Sequence, residues 1–220
     1  MTPAELALLL DHSVLKPETT DRDILAGVEV VAASKIGFYC VQPCWVSLAA
    51  GALSGTPATV VAVIGFPHGC DREEVKARAA AIAVEDGAGE IDMVLNFGAL
   101  KSGNADLVRR EIEAVVRAAE GRPVKVILET AALTQAEKLL ACMLCGESGA
   151  AFVKTSTGFH PAGGATVADV RLLRAAVGPL LGVKAAGGIR TLDDALAMLK
   201  AGATRIGTSA SEVILATLAP

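Results

Sequence analysis

Short apolar runs alternate with amphipathic stretches from one end of the chain to the other. The apolar runs are dominated by small and branched side chains, which is typical of strands buried on both faces of a parallel sheet. The pattern predicts eight strands, over residues 11–15, 38–41, 60–65, 90–96, 124–130, 151–155, 183–186 and 205–208.

The stretches between these strands carry apolar residues at helical spacing, with charges on the opposite face. Clear examples are residues 71–86, 105–119, 135–148 and 192–200. A Gly-Ala pair follows three of them, at 87–88, 149–150 and 202–203, where a glycine with positive φ can end a helix. Eight strands that each precede a helix predict an α/β fold, a single (β/α)8 TIM barrel with a short extra N-terminal helix over residues 1–10. No linker divides the chain, so residues 1–220 are expected to form one domain.

Composition and charge narrow the class of protein. Hydrophobic residues make up 52% of the 220, and the net charge of -4 comes without the clustered Lys and Arg that nucleic-acid phosphates require. The apolar piece at residues 60–66 is too short to cross a membrane. Residues 1–10 include Glu5 and no basic segment, which favours a helix over a leader peptide. We therefore expect a cytoplasmic protein that binds neither nucleic acid nor membranes.

The chain has five cysteines, an odd number that suggests reduced thiols rather than a disulfide framework. Cys142 and Cys145 have the spacing of a zinc knuckle, and Cys40 with Cys44 could complete a set of four ligands. However, Cys142 stands in a helical run without the turn residues that a knuckle needs. Plain buried thiols and no metal site are the prediction.

Three charged residues interrupt strands that should be buried. Asp92 lies within the run EIDMVL, Lys154 follows Ala151-Phe152-Val153, and Lys184 follows Gly182-Val183. An unpaired charge in such a position is costly, and one interpretation is a structural ion pair between Asp92 and one lysine. The second interpretation is an active site, because barrel enzymes place their chemistry at the carboxyl ends of the strands.

Two lysines on consecutive strands favour the active site. Adjacent strands lie about 4.8 Å apart, so inward-facing Lys154 and Lys184 would repel each other. Desolvation and a neighbouring cation are both expected to lower a lysine pKa and to free a neutral amine. A neutral amine beside the carboxylate of Asp92 and a second ammonium group is suited to imine formation on a carbonyl.

Glycine-rich loops follow the seventh and eighth predicted strands, at residues 185–191 and 205–211. These loops form the usual phosphate site of the barrel fold, because glycines allow backbone N–H groups to approach an oxyanion. Simple tight turns are the alternative. After Lys154, the hydroxyls of Thr155, Ser156 and Thr157 could orient a substrate hydroxyl or a water molecule.

Along nearly its whole length the sequence resembles the deoxyribose-phosphate aldolases, which are class I aldolases with a barrel fold. The matching blocks occur in the family's order, and together they are specific. They are DHSVLKP (11–17), VIGFP (63–67), EIDMVLN (90–96), VILET (126–130), FVKTSTGF (152–159), VKAAGGIR (183–190) and RIGTS (205–209).

The resemblance implies roles for individual residues. Lys154 would form the Schiff base, Lys184 would activate it, and Asp92 would assist proton transfer, while Asp11 and Ser13 would lie near the proton relay. The substrate and its phosphate would be bound by a second group: Ser13, Thr157, Gly187, Gly188, Gly207 and Ser209.

The resemblance also implies a reaction and a setting. The enzyme would cleave 2-deoxy-D-ribose 5-phosphate reversibly into D-glyceraldehyde 3-phosphate and acetaldehyde, in the breakdown of deoxyribose, without a metal or organic cofactor. It would act as a homodimer on these small molecules. The alternatives are another Schiff-base sugar-phosphate aldolase or lyase, and a non-catalytic barrel that binds sugar phosphates.

Some positions depart from the family pattern. Gln42 stands where many relatives have asparagine, His68 where an aliphatic residue is common, and Ala210 where some relatives bind phosphate with a serine.

Other polar residues receive structural interpretations. His12, His68 and His160 have no ligand spacing, so we expect satisfied or surface side chains. Lys125 is near the start of its strand, the end of the barrel that serves stability, and is predicted to have no catalytic part. Glu129 is nearer the other end and could support the site.

Overall fold

In a computed structural model, which describes residues 1–218, eight parallel strands close into a barrel in chain order. Residues 219–220, the last two of the predicted domain, lie outside the described residues. The closed sheet confirms the predicted (β/α)8 barrel. Its strands are β1 Leu10–Val14, β2 Phe38–Val41, β3 Thr59–Ile64, β4 Glu90–Val94, β5 Val124–Ile127, β6 Phe152–Lys154, β7 Gly182–Ala186 and β8 Arg205–Thr208.

At least one α-helix follows every strand, and one more precedes β1. Short 3-10 turns at Pro43–Trp45 and Thr130–Ala132 follow β2 and β5. Among residues 1–218, none of the helices is both long enough and apolar enough to span a bilayer. The helices are α1 Pro3–Ala7, α2 Asp21–Ala33, α3 Val46–Ala52, α4 Glu73–Glu85, α5 Phe97–Lys101, α6 Ala105–Ala118, α7 Gln135–Glu147, α8 Val167–Val177, α9 Leu192–Lys200 and α10 Ser211–Ala216.

The N-terminal helix is shorter than predicted. A capping box fixes its start, because the Thr2 side chain accepts a hydrogen bond from the Glu5 N–H and the Glu5 carboxylate accepts one from the Thr2 N–H. The helix ends at Ala7, and Leu10 is the first residue of β1 rather than the last of the helix. Leu10 pairs with Ile206 of β8, and this pairing requires an extended backbone.

Strands β4 and β5 end earlier than predicted, whereas β2 and β8 have the predicted bounds. Asn96, assigned to a strand from sequence, instead caps α5, and its side chain accepts a hydrogen bond from the Ala99 N–H at 3.0 Å. Glu129 takes a left-handed φ of 59° and starts the turn after β5. In both places the backbone turns away from the sheet at a polar residue that follows the carboxyl end of the strand.

The three Gly-Ala pairs end helices as predicted. Gly87, Gly149 and Gly202 have φ values of 104°, 80° and 112°. In each pair the alanine N–H donates to the carbonyl five residues earlier, at 2.9 to 3.0 Å, which is the hydrogen bond of a Schellman motif. These turns deliver the chain from α4, α7 and α9 into the next strand.

The barrel interior is charged, although the outer faces of the strands pack into a large apolar core with the helices. The side chains of β4 pair with those of β6, β7 and β8, which are not sheet neighbours of β4, so these contacts cross the interior. A small apolar cluster of Leu15, Cys40, Val61 and Val63 occupies the side near β2 and β3. The buried charges of the interior are Asp11, Glu90, Asp92, Lys125, Lys154, Lys184 and Arg205.

Candidate active site

The three charged residues singled out in the sequence meet inside the barrel. Oδ2 of Asp92, on β4, accepts a hydrogen bond from Nζ of Lys154 at 2.7 Å and another from Nζ of Lys184 at 2.7 Å. All three side chains are buried, and Lys154 and Lys184 are register partners on β6 and β7. Asp92 therefore pairs with both lysines rather than with one, and this shared oxygen holds their amines on the same side of the carboxylate.

Lys184 is held as an ammonium ion. Its amine also donates to Oδ2 of Asp11, on β1. Desolvation alone would lower its pKa, but the carboxylates of Asp11 and Asp92 outweigh it and raise the pKa of Lys184 above the ordinary value. The expectation that repulsion and burial lower the lysine pKa is therefore wrong for Lys184, because two carboxylates flank its amine.

Asp92 is held as a carboxylate. Burial acts to raise its pKa, but the neighbouring side chains of Lys125, Lys154 and Lys184 hold the pKa of Asp92 well below its ordinary value of 3.8. Its second oxygen, Oδ1, accepts a hydrogen bond from Nζ of Lys125 at 2.9 Å. Asp92 thus has ammonium partners on both oxygens.

The contact from Lys125 is one that the sequence analysis missed. Lys125 is near the start of β5, as predicted, but it is the register partner of Asp92 on β4, and its amine contacts the Asp92 carboxylate. A signal was present in the sequence: Val124-Lys125-Val126 puts a charge inside an apolar strand, just as for Lys154 and Lys184. Position along the strand was a poor guide, because the register of β4 and β5 places Lys125 beside Asp92.

A cavity of about 630 Å³ opens at the carboxyl ends of the strands, above the charged residues. Lys154 and Lys184 line it, while Asp92 lies behind them and does not. The cavity brings together the remaining residues predicted for the site. They are Asp11, Ser13, Thr157, Gly187, Gly188, Gly207 and Ser209.

Two glycine-rich loops form one wall of the cavity. Gly187 and Gly188 have φ values of 89° and 81°, which side chains rarely adopt. Gly207 is required for a different reason, since a Cβ atom there would lie 2.9 Å from Cβ of Ala186 and 3.1 Å from Cε of Lys184. The glycines therefore let the backbone of these loops approach Lys184 closely.

Thr157 is on the cavity wall, but its hydroxyl is already engaged. It donates to Oε2 of Glu129 at 2.5 Å and accepts from the Phe159 N–H at 3.1 Å. The Thr157 N–H also points to both carboxylate oxygens of Glu129, at 3.3 Å. A hydroxyl has one donor and two acceptor positions, so Thr157 retains only an acceptor position for a substrate group. Glu129 supports the site by holding this loop.

The three histidines differ in environment. His12 is buried, with Nδ1 3.1 Å from Oγ of Ser211 and its ring stacked on Tyr39. His68 is exposed, and His160 is half-buried with its ring edge-on to Phe97.

His12 gives the protein a predicted loss of stability in mild acid. Burial lowers the pKa of His12 below its ordinary value of 6.5, while the carboxylates of Asp11 and Glu212 oppose the shift. The unfolded chain therefore binds a proton near pH 6.5 that the folded chain resists, and the free energy of unfolding falls as the pH drops below about 6.5. We expect urea unfolding at about pH 7.5 and 5.5 to show a smaller fall for His12→Asn than for the wild type.

Exposed His68 provides the control for this prediction. His68→Asn should keep the wild-type pH dependence, because its imidazole remains in water in both states. Parallel pH dependences for the wild type and His12→Asn would show that protonation of His12 does not limit stability in acid.

The acidic and sulfur groups of the interior do not fit a metal ion. Oxygen atoms of Asp11 and Asp92 and the sulfur of Cys40 lie within 4.8 Å of one another, but the Lys184 amine already pairs with both carboxylates. Burial raises the pKa of Cys40 to about 12, so its thiol stays protonated.

The prediction of buried thiols holds for only part of the cysteines. Cys40, Cys142 and Cys145 are buried, whereas Cys44, in the 3-10 turn after β2, and Cys70, in the loop after β3, are exposed. All five are free.

Two of the unusual positions make ordinary contacts. Gln42 donates from Nε2 to the carbonyl of Leu15 at 3.0 Å and so ties the loops after β1 and β2 together. The N–H of Ala210 donates to Oγ1 of Thr208 at 2.9 Å, so the turn before α10 is fixed without a hydroxyl on residue 210.

The chain is similar to known proteins along nearly its whole length. The sequence model of the family described as DeoC/LacD family aldolase matches residues 5–212. A Streptococcus gordonii protein named deoxyribose-phosphate aldolase is 54% identical over 206 residues, which cover 94% of this chain and 93% of that protein. The protein of the same name from Methanothermobacter thermautotrophicus is 54% identical over 216 residues, covering 97% and 95%.

Solved structures include a near match to the fold. The structure described as the unique tetrameric structure of deoxyribose phosphate aldolase from Aeropyrum pernix superimposes with a TM-score of 0.91 at 33% sequence identity. The superposition covers 98% of this chain and 92% of that one. With a family match over nearly its whole length and relatives above 50% identity, this chain belongs to the DeoC/LacD family of aldolases.

Proposed function

We propose that this chain is a deoxyribose-phosphate aldolase, which cleaves 2-deoxy-D-ribose 5-phosphate reversibly into D-glyceraldehyde 3-phosphate and acetaldehyde. The observation that carries the proposal is the amine of Lys154, which faces a sugar-sized cavity and shares one oxygen of Asp92 with Lys184. The names of relatives at 54% identity support the same substrate.

Lys154 is the proposed nucleophile. Its neutral amine attacks the aldehyde carbon C1 of the substrate, and loss of water gives a protonated imine. Lys184 and Asp92 stay charged beside it, as an ammonium ion and a carboxylate, and stabilise the charges that form on the way. The imine polarises the substrate without a metal or an organic cofactor.

The bond between C2 and C3 breaks next. A base removes the proton of the C3 hydroxyl through a bound water molecule that Asp92 and Lys184 hold, and the electron pair of the C2–C3 bond moves into the imine to give an enamine. Glyceraldehyde 3-phosphate leaves, the enamine is protonated at carbon, and hydrolysis releases acetaldehyde. Among residues 1–218, Oδ1 of Asp11 is buried and has no hydrogen-bond partner, which leaves an acceptor available for this proton relay.

The glycine-rich wall is the proposed phosphate site. Gly187, Gly188 and Gly207 would bring backbone N–H groups to the phosphate, and Ser209, which is exposed at the cavity, would add a hydroxyl. Ser13, half-buried on β1, would contact the sugar.

We also propose a cytoplasmic homo-oligomer, with a dimer as the simplest assembly. The Aeropyrum pernix structure is described as tetrameric, so light scattering of the purified protein is needed to distinguish the two states. A measured mass of twice the 22.4 kDa of one chain supports the dimer, whereas a mass of four times that of one chain rules the dimer out.

A substrate panel tests the proposed function. Release of glyceraldehyde 3-phosphate is followed with a coupled glyceraldehyde-3-phosphate dehydrogenase, using 2-deoxyribose 5-phosphate, ribose 5-phosphate and a ketose 6-phosphate. Release from the deoxy sugar alone is the expected result. Cleavage of a different sugar phosphate would favour another Schiff-base aldolase or lyase, and tight binding of the deoxy sugar without cleavage would favour a sugar-phosphate-binding barrel.

A further inference from the structure

A second tier of charges lies beneath the candidate active site. Nζ of Lys125 contacts Oδ1 of Asp92 at 2.9 Å and Oε2 of Glu90 at 2.5 Å. The same Glu90 oxygen accepts a hydrogen bond from Nη1 of Arg205 at 3.1 Å. The guanidinium of Arg205 stacks on the ring of Phe38, 3.2 Å from its centroid. All the charged side chains of this tier are buried, so solvent screens them little.

The connected network contains one more cation than carboxylates. Its members are joined by ion pairs from Asp11 at one end to Arg205 at the other, and a surplus charge in such a buried cluster is costly. Loss of one proton from a lysine balances the network. The cations are Lys125, Lys154, Lys184 and Arg205, and the carboxylates are Asp11, Glu90 and Asp92.

The contacts identify Lys154 as the group that gives up the proton. Arginine does not deprotonate in proteins. Lys125 contacts two carboxylates, Glu90 and Asp92, and Lys184 also contacts two, Asp11 and Asp92. Lys154 has a single carboxylate contact, to the Asp92 oxygen that it shares with Lys184.

Other titratable groups near Lys154 do not change this balance. Cys40, on β2, stays a neutral thiol because burial raises its pKa. Glu129, beyond β5, directs its carboxylate to Thr157 and forms no ion pair with the lysines of the network within the described residues. His12, on β1, faces Ser211 and is neutral near pH 7 because burial lowers its pKa.

We propose that Lys125 is a positioning residue that keeps the amine of Lys154 neutral. Its amine contacts Oδ1 of Asp92 and adds the fourth cation to a network with three carboxylates. The charge of Asp92 is therefore already balanced by other cations and does not stabilise Lys154 as an ammonium ion. Glu90 fixes the position of Lys125 through their ion pair, and Arg205 contacts the same oxygen of Glu90. This inference rests on the proposed role of Lys154 as the nucleophile, but its test does not require the sugar substrate.

The test measures how the reactivity of Lys154 depends on pH. Protein is incubated with acetaldehyde and cyanoborohydride at a series of pH values, and the rate of Lys154 alkylation is determined by peptide mass spectrometry. Lys125→Met leaves equal numbers of cations and carboxylates, so Lys154 can retain its proton. We expect the rise in alkylation to move to higher pH by about one unit, which is about a tenfold loss of rate near pH 7.

A compensating variant separates charge from packing. Lys125→Met combined with Glu90→Gln again leaves one surplus cation, so the pH dependence should return toward that of the wild type. Arg205→Met makes the same change in charge as Lys125→Met at another position, and it serves if Lys125→Met does not fold. Lys76→Met, which removes a buried lysine that is paired with Glu111 outside the network, should leave the pH dependence of Lys154 unchanged.

Two outcomes would overturn the inference. One is a pH dependence of Lys154 alkylation in folded Lys125→Met or Arg205→Met that equals that of the wild type. The other is a double variant that is no closer to the wild type than Lys125→Met, which would indicate a packing role alone. Failure of the proposed sugar substrate would leave this test intact, because acetaldehyde reports on the amine directly.

Discussion

Replacing Lys154 with methionine is expected to abolish aldol cleavage while the protein stays folded. Methionine fills a similar volume but cannot form an imine, so kcat/KM for 2-deoxyribose 5-phosphate should fall at least about 10⁴-fold, as when a covalent nucleophile is removed. The fold should survive because Asp92 keeps Lys125 and Lys184 as partners. Steady-state kinetics and thermal unfolding of the same preparation measure both effects.

An exposed lysine provides the matched control. Lys200, in the last turn of α9, is exposed and makes none of the contacts described above, so Lys200→Met should retain wild-type activity. Activity of Lys154→Met within about tenfold of the wild type would mean that another amine carries the reaction.

Asp92→Asn is expected to lower both the catalytic rate and the stability. Asparagine keeps the shape of the side chain but leaves three buried lysines facing a neutral group. Loss of one partner of a buried ion pair costs about 3–5 kcal/mol in the free energy of unfolding. Removal of a group that moves protons lowers kcat by about 10²- to 10⁴-fold. Urea unfolding and initial rates at saturating substrate measure the two effects.

The loss of stability in Asp92→Asn should depend on pH. The pKa of Asp92 is lowered on folding, so its ionised form stabilises the protein above about pH 3.8, and this contribution disappears as the pH falls toward the folded pKa. The wild type and Asp92→Asn should therefore converge in stability below about pH 3.8.

Glu111→Gln separates stability from catalysis. Glu111 forms the other buried ion pair, with Lys76 at 2.9 Å, and this pair lies outside the network. Its loss should destabilise the protein by a similar amount with little change in kcat. If kcat of Asp92→Asn equals that of Glu111→Gln, Asp92 has a structural role only.

Much of the barrel could be predicted from the sequence because its strands are short apolar runs with distinct flanks. β2 and β8 have the predicted bounds, and the remaining errors are concentrated at the carboxyl ends of β4 and β5. There, Asn96 and Glu129 continue an apolar pattern in the sequence but bend the backbone into a cap and a left-handed turn. The pattern of apolar residues does not predict such turns, because hydrogen bonds to later residues fix them.

The meeting of Asp92, Lys154 and Lys184 was predictable because alternate residues of neighbouring strands share one face. The contacts that individual side chains make could not be predicted in this way. Lys125 contacts Asp92 from the neighbouring strand, and the Thr157 hydroxyl turns to Glu129. The charge state of Lys184 also depended on partners from distant strands, which a comparison of adjacent strands omits.

Reductive trapping tests the central claim most directly. The protein is incubated with 2-deoxyribose 5-phosphate, borohydride is added, and the modified peptide is identified by mass spectrometry. The account predicts a stable adduct on Lys154 that is absent from Lys154→Met. An adduct on a different lysine, or no adduct in folded protein that releases acetaldehyde, would contradict it.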